Sequence, residues 1–161
     1  MRKHIITADL TLVAGLAGGG LTLYLIENYG QLSKHGHVRI EGNRLTGQLA
    51  DAIRVMSILT VLFVVACIVY VTKLYAHNRA LAKMFIVALV FSVIAAGLNL
   101  HLVEHIGDAT LDVETGDKIR GGFGEKVLAF NAVNTSASGL TFMWMNHFVT
   151  TPSAHTFSRT I

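Results

Sequence analysis

Histidine is the residue type with the most chemical scope in this chain. The 161 residues include eight histidines, and the motif HLVEH separates His101 from His105 by one helical turn. That spacing places both imidazoles on one helix face, and neutral imidazole is a common ligand for divalent transition metals. Histidines of an earlier polar segment and a nearby carboxylate can complete the set. The sequence therefore predicts a transition-metal site formed by His35, His37, His101, His105 and Asp108.

Haem is a second chemistry that histidines in a membrane can support. A b-type cytochrome needs an axial histidine pair from two facing helices, and His77 and His147 close two predicted helices on the same side. However, no two helices both carry a histidine well inside an apolar stretch. The third interpretation is that these are interfacial histidines, which bond to headgroups, loops or neighbouring subunits. All three interpretations remain open at the level of the sequence.

Polar residues also interrupt the last apolar stretch of the chain. Four of them recur at intervals of 3, 4 and 3 residues, which places them on one helix face: Asn131, Asn134, Ser138 and Thr141. Together with Asn99 of the preceding helix we call them the polar seam. An amide in hydrocarbon needs a hydrogen-bond partner, so the seam must face protein or water. It predicts either interhelical hydrogen bonds or a polar pathway.

Small residues recur along two of the predicted helices. Gly15 and Gly19 form a GxxxG pair, and Ala88, Ser92 and Ala96 repeat at every fourth residue. We call these two sets the small-residue stripes. In lipid, small residues allow helix backbones to approach closely. The stripes therefore predict helix–helix contacts, and we expect them to join several subunits into one assembly.

Four stretches without Asp, Glu, Lys or Arg must position these residues: Leu10–Ile26, Val55–Thr72, Met84–Val103 and Val127–Ser158. About 20 helical residues cross a hydrocarbon core of roughly 30 Å. Apolar residues make up 52% and charged residues 14% of the chain, and its mean hydropathy is +0.53. The sequence thus predicts an all-α integral membrane bundle of four transmembrane helices, forming one domain over residues 1–161. The expected helices are Ile6–Tyr29, Gly47–His77, Ala80–Glu104 and Glu125–Val149.

Two longer polar segments connect these helices on one face of the bundle. Residues 30–54 predict a short hairpin or an irregular loop, with Thr46 as the N-cap of the second helix. Residues 106–126 alternate and then turn, which predicts a small β-hairpin. The short connection His77–Ala80 predicts that helices 2 and 3 are antiparallel neighbours. The positions of Lys and Arg favour a multi-pass orientation with both termini inside.

Charge and motif content limit the function classes. The net charge is +3 and the pI about 9.2, but Lys and Arg form no cluster interleaved with aromatic residues, so no nucleic-acid partner is expected. The sequence contains no GxSxG, Walker, HExxH or CxxC motif, and no catalytic residue is predicted. The leading hypothesis is a non-enzymatic membrane subunit with structural, channel-forming or accessory roles. It is expected to contact the lipid bilayer and either its own copies or other membrane subunits. The alternative is a metal- or haem-binding redox subunit.

Overall fold

The fold consists of four helices and two small hairpins. The computed structural model describes residues 2–111 and 117–150, with side chains described for residues 8–76, 78–109 and 117–147. The helices are α1 (Arg2–Lys34), α2 (Gln48–His77), α3 (Arg79–Glu104) and α4 (Gly122–Thr150). The strands are β1 (Arg39–Glu41), β2 (Arg44–Thr46), β3 (Ala109–Leu111) and β4 (Ile119–Gly121), and a 3-10 turn covers Ile106–Asp108.

The described residues confirm the predicted bundle of four long helices. Three helices are long and apolar enough to cross a membrane, over Ala8–Lys34, Gln48–Ala76 and Arg79–Glu104. Within the described residues α4 is not among them, and its amide and hydroxyl side chains are the reason for its lower hydropathy. Each helix packs against two neighbours, in the cyclic order α1, α2, α3, α4, and α1 also contacts α3.

A kink in α1 marks the place where the predicted helix was expected to end. The expected end was Tyr29, whereas α1 continues to Lys34 beyond non-helical backbone at Asn28, where φ is −122° and ψ is 21°. After the kink the backbone N–H of Gly30 donates to the carbonyl of Asp117 at 2.8 Å. A side chain at residue 30 would collide with Asp117, so glycine is needed where the second hairpin approaches α1.

A single residue joins α2 to α3. The backbone N–H of Asn78 donates to the carbonyl of Leu74 at 2.8 Å and closes α2, while its side chain accepts from the backbone N–H of Leu81 at 3.1 Å and opens α3. One residue therefore caps both helices. So short a joint forces α2 and α3 to run back along each other, as the sequence predicted.

The two polar segments fold into hairpins at the opposite end of the bundle from Asn78. In the first, β1 pairs antiparallel with β2 and Ile40 lies opposite Leu45, with Gly42 in the turn at φ 64°. In the second, β3 pairs antiparallel with β4, which confirms the predicted hairpin. The prediction of Thr46 as N-cap was wrong: Gly47 occupies that position with φ 110°. Residues 35–47 and 105–121 are called the polar cap below.

Ion pairs fasten the first hairpin of the polar cap to the helices. Arg54 on α2 donates from Nε to Glu104, from Nη1 to Asp51 and from Nη2 to the carbonyl of Leu45, each at 2.7 Å. Arg44 approaches the other oxygen of Glu104 at 3.0 Å. These contacts tie α2, α3 and the first hairpin together through one guanidinium.

Glu27 fastens the second hairpin to α1. Its carboxylate accepts from Lys118 at 2.8 Å and from Arg120 at 2.8 and 2.9 Å. The first hairpin also bonds to the 3-10 turn that precedes the second, since the side-chain oxygen of Asn43 accepts from the backbone N–H of Gly107 at 2.7 Å. The cap is therefore one connected polar structure rather than two separate loops.

Two hydrophobic cores lie at the two ends of the bundle. The core beneath the polar cap includes side chains from all four helices and from both hairpins, among them Leu25, Ile26, Leu45, Ile53, Leu102, Ile119 and Val127. The second core lies toward the α2–α3 joint and includes Leu12, Cys67, Phe85, Leu89 and Met145. The polar seam occupies the space between these cores.

Candidate functional site

An amide pair links α3 to α4 at the cap end of the polar seam. Asn131 donates from Nδ2 to Asn99 Oδ1 at 2.6 Å, and Asn99 donates from Nδ2 to Asn131 Oδ1 at 3.2 Å. Asn131 also donates to the carbonyl of Val127 in its own helix at 2.8 Å. Both side chains are fully buried. The pair thus satisfies its polar atoms by reciprocal bonding between the two helices.

Asn134 joins three helices one turn further along α4. Its Oδ1 accepts from the hydroxyls of Ser92 on α3 at 2.9 Å and of Ser138 on α4 at 3.3 Å. Its Nδ2 donates to the backbone carbonyl of Gly15 on α1 at 3.3 Å. Asn99, Asn131 and Asn134 thus bond to other helices of the same chain.

Two residues near the seam depart from that arrangement. Thr141 is buried, and its hydroxyl donates to the carbonyl of Ala137 in its own helix at 2.8 Å. Thr135, which the periodic pattern does not include, has a buried hydroxyl without a hydrogen-bond partner. Because threonine can satisfy itself on its own helix, helical spacing alone does not predict which seam residues bridge helices.

The small-residue stripes face the interior of the same bundle. A Cβ on Gly15 would lie 2.9 Å from the Ser92 hydroxyl, and one on Gly19 would lie 2.9 Å from the Thr135 hydroxyl. Ala88, Ser92 and Ala96 are all buried. The close approach that the stripes predict thus occurs between helices of one chain. Glycine brings the α1 backbone near enough for the carbonyl of Gly15 to accept a bond from α4.

The histidines predicted as metal ligands lie in separate places in the polar cap. His101 and His105 are stacked with ring centroids 4.6 Å apart, and His101 Nε2 approaches Asp108 at 2.8 Å. His35 donates from Nδ1 to the carbonyl of Gln31 at 2.8 Å, and its ring centroid lies 6.5 Å from that of His37. In the part of the chain that the structure describes, no group of three or more His, Cys, Asp or Glu could hold a metal.

The haem hypothesis depends on a side chain outside the described residues. His77 ends α2, but its side chain is not described, and His147 on α4 is exposed. The pairing of these two histidines therefore stays a prediction. The metal site also stays a prediction.

An uncovered face of α2 is the feature that the sequence interpretation missed. Only 17% of the most apolar window of α2 is buried inside the chain, against 50% for α1 and 44% for α3. Five large side chains along one line of α2 are each more than half exposed: Val55, Ile58, Leu62, Val65 and Val69. We call them the α2 outer stripe. Their intervals of 3, 4, 3 and 4 residues are the spacing of a heptad seam.

Comparison of the chain with protein-family models, curated proteins and solved structures found no match. The functional proposal accordingly rests on the chemistry and geometry of the residues described above.

Proposed function

We propose that this protein is a non-enzymatic integral membrane subunit with four spans, which self-associates through the α2 outer stripe. The observation that carries the proposal is a contrast between two parts of the bundle. In its interior, most polar side chains of the seam are hydrogen-bonded to one another, whereas α2 is left largely uncovered by the other helices. Neither half of that contrast favours a catalytic or redox centre. Both fit a structural or accessory component of a membrane assembly.

The exposure pattern of α4 supports a fourth span. Its amides Asn131 and Asn134 are buried and bonded to α3 and α1. Apolar side chains such as Val133, Leu140 and Met143 are exposed on its outward face, and the hydroxyl of the outward Ser136 bonds within α4. A helix in lipid must satisfy its polar groups against protein and present apolar groups outward. By that criterion α4 fits the hydrocarbon although its average hydropathy is low.

The charge distribution supports an orientation with both termini inside. With four spans the two termini lie on the same side as the α2–α3 joint. Between Val55 and Val103 the chain carries Lys73, Arg79 and Lys83 and no acidic residue. Lys and Arg near span ends favour the inner side. The polar cap end carries seven of the thirteen Lys and Arg, but several of these are paired with Glu27 and Glu104, so we place the cap on the outer side.

The polar seam supports a structural role for the interior. Asn99, Asn131 and Asn134 have their side-chain oxygens occupied by donors from the same chain. A polar pathway through one copy would leave such groups open to water. Their mutual bonding instead holds α4 against α1 and α3. Interhelical bonds of this kind contribute about 0.6 to 2 kcal/mol each in a membrane.

The α2 outer stripe supports self-association. All copies insert with the same orientation, so a two-fold axis along the membrane normal brings the same stripe of two copies together. Lipid covers apolar side chains as well as a second copy does, so the support comes from the spacing: heptad-spaced Val, Ile and Leu side chains suit the knobs-into-holes packing of such a parallel pair. The small-residue stripes are occupied inside the bundle, so the expected contact between copies moves from α1 to α2.

Cysteine cross-linking in the membrane tests this contact. In a Cys67→Ala background, Leu62→Cys is expected to form a disulfide-linked dimer under mild oxidation, because residue 62 faces its own copy. Met143→Cys on the outward face of α4 is the matched control, since it is similarly exposed but lies on another helix. Dimer from residue 143 alone, or equal cross-linking at both positions, would contradict the α2 contact.

A further inference from the structure

An apolar groove runs between α2 and α3, directly beside the α2 outer stripe. It has a volume of roughly 420 Å³. Its walls are formed by Val64, Ile68 and Thr72 on α2 and by Ile86, Val90 and Ile94 on α3. At 1.5 Å per residue each wall extends for about 12 Å, close to the depth of one hydrocarbon leaflet.

Two basic residues continue the α3 wall of this groove toward the α2–α3 joint, and a tyrosine continues the α2 wall. On α3, Lys83 precedes Ile86 by one turn, and Arg79 lies one turn earlier. Helical residues three or four apart share a face, so Lys83 follows directly from the wall formed by Ile86 and Val90. On α2, Tyr75 follows Thr72 in the same way, and the guanidinium of Arg79 lies 5.9 Å from the centre of its ring.

We propose that the groove between α2 and α3 binds one anionic phospholipid, with an acyl chain against the apolar walls and the phosphate beside Lys83 and Arg79. The proposal rests on the proposed membrane orientation, in which the joint lies at the inner surface. Charge complementarity selects the ligand. The helical hairpin from Val55 to Val103 carries three basic residues and no acidic one, and Lys side chains extend toward the headgroup level.

The preference for an anionic over a zwitterionic headgroup tests the proposed role of Lys83 and Arg79 in this site. The purified full chain is titrated with dioleoyl phosphatidylglycerol or dioleoyl phosphatidylcholine, and bound lipid is counted by native mass spectrometry. We expect one phosphatidylglycerol per chain, bound about tenfold more tightly than phosphatidylcholine. Lys83→Gln with Arg79→Gln should remove that preference. Lys126→Gln, an exposed basic position on α4 at the cap end, should leave it unchanged.

Filling the groove tests the apolar half. Val90→Phe should weaken both lipids, whereas Val133→Phe on the outward face of α4 should not. Equal affinity for the two lipids in the parent chain, or equal effects of Lys83→Gln and Lys126→Gln, would overturn the proposal and leave unspecific lipid contact. A change from monomer to dimer in Val90→Phe, with lipid binding intact, would assign the groove to a second copy and also overturn it. Cross-linking at residue 62 reports on the α2 outer stripe independently, so failure of the lipid site is distinguishable from failure of the proposed function.

Discussion

The polar seam and the polar cap connect helices of the same bundle with different chemistry. The seam uses neutral amides and hydroxyls, such as Asn134 and Ser92, that are almost completely buried. The cap uses ion pairs, in which Glu27 and Lys118 keep 38% and 45% of their side chains exposed. Moving a charge out of water costs several kcal/mol, whereas a hydrogen-bonded amide costs much less. The depth of a contact within the bundle therefore determines which polar groups can form it.

The largest effect is expected from breaking the close approach that the seam requires. Gly19→Leu places a large side chain where a Cβ alone meets Thr135 and Asn131, so α1 must separate from α4. We expect a loss of about 3 kcal/mol, the upper range for overpacking. Gly20→Leu is the matched control, because nothing lies within 4 Å of its Cβ position. Unfolding in sodium dodecyl sulfate, followed by circular dichroism, measures both; equal losses would contradict the close approach.

A smaller effect is expected from removing the central amide of the seam. Asn134→Leu deletes the acceptor for Ser92 and Ser138 and the donor to Gly15. We expect a loss of about 1–2 kcal/mol, because the two serine hydroxyls can turn to carbonyls of their own helices. The loss should not depend on salt. Ser136→Leu, at an outward position bonded only within α4, should be nearly neutral. An equal loss of stability at residue 136 would contradict a stabilising role for the interhelical bonds of Asn134.

The smallest effect is expected from the polar cap, and it should depend on salt. Glu27→Gln removes the charge that Lys118 and Arg120 share. Exposed ion pairs of this type contribute about 0.2–1 kcal/mol and are screened by salt. The difference between variant and parent should therefore shrink as sodium chloride rises, whereas that of Asn134→Leu should stay constant. Glu41→Gln on exposed β1 is the control. A loss of stability at residue 27 that does not depend on salt would contradict the proposed difference between the ion pairs of the cap and the neutral hydrogen bonds of the seam.

Much of the fold follows from local patterns in the chain. Charge-free stretches of 17 residues or more predict the helices, and the alternation around Leu111 predicts the second hairpin. The errors arise where tertiary contacts override local preference. Asn28 interrupts α1 because the second hairpin bonds to Gly30 beyond it, and Gly47 caps α2 where Thr46 was expected. Neither contact is visible in the residues that flank these positions.

The two candidate sites leave different kinds of signal in the sequence. The seam stands out because Asn131 and Asn134 contrast with apolar neighbours, so their spacing defines a face. The histidines stand out by their number, which gives no distances between their side chains. In the fold, His35 and His101 have different neighbours. These two cases differ in what the sequence contains. The contrast between polar and apolar residues within one helix can be read from the sequence, whereas the distance between residues on two helices cannot.

By itself the sequence determined that the chain is helical and apolar enough for a membrane, that its polar seam faces protein or water, and that small residues permit close helix contact. Only the tertiary structure decided that the small-residue stripes contact helices of their own chain and that the α2 outer stripe is uncovered. The reason is that α2 is apolar on every side between Val55 and Val71 apart from a few hydroxyls. Periodicity can assign a face only where residue types differ around the helix, so which side of α2 remains exposed depends on where α1 and α3 pack.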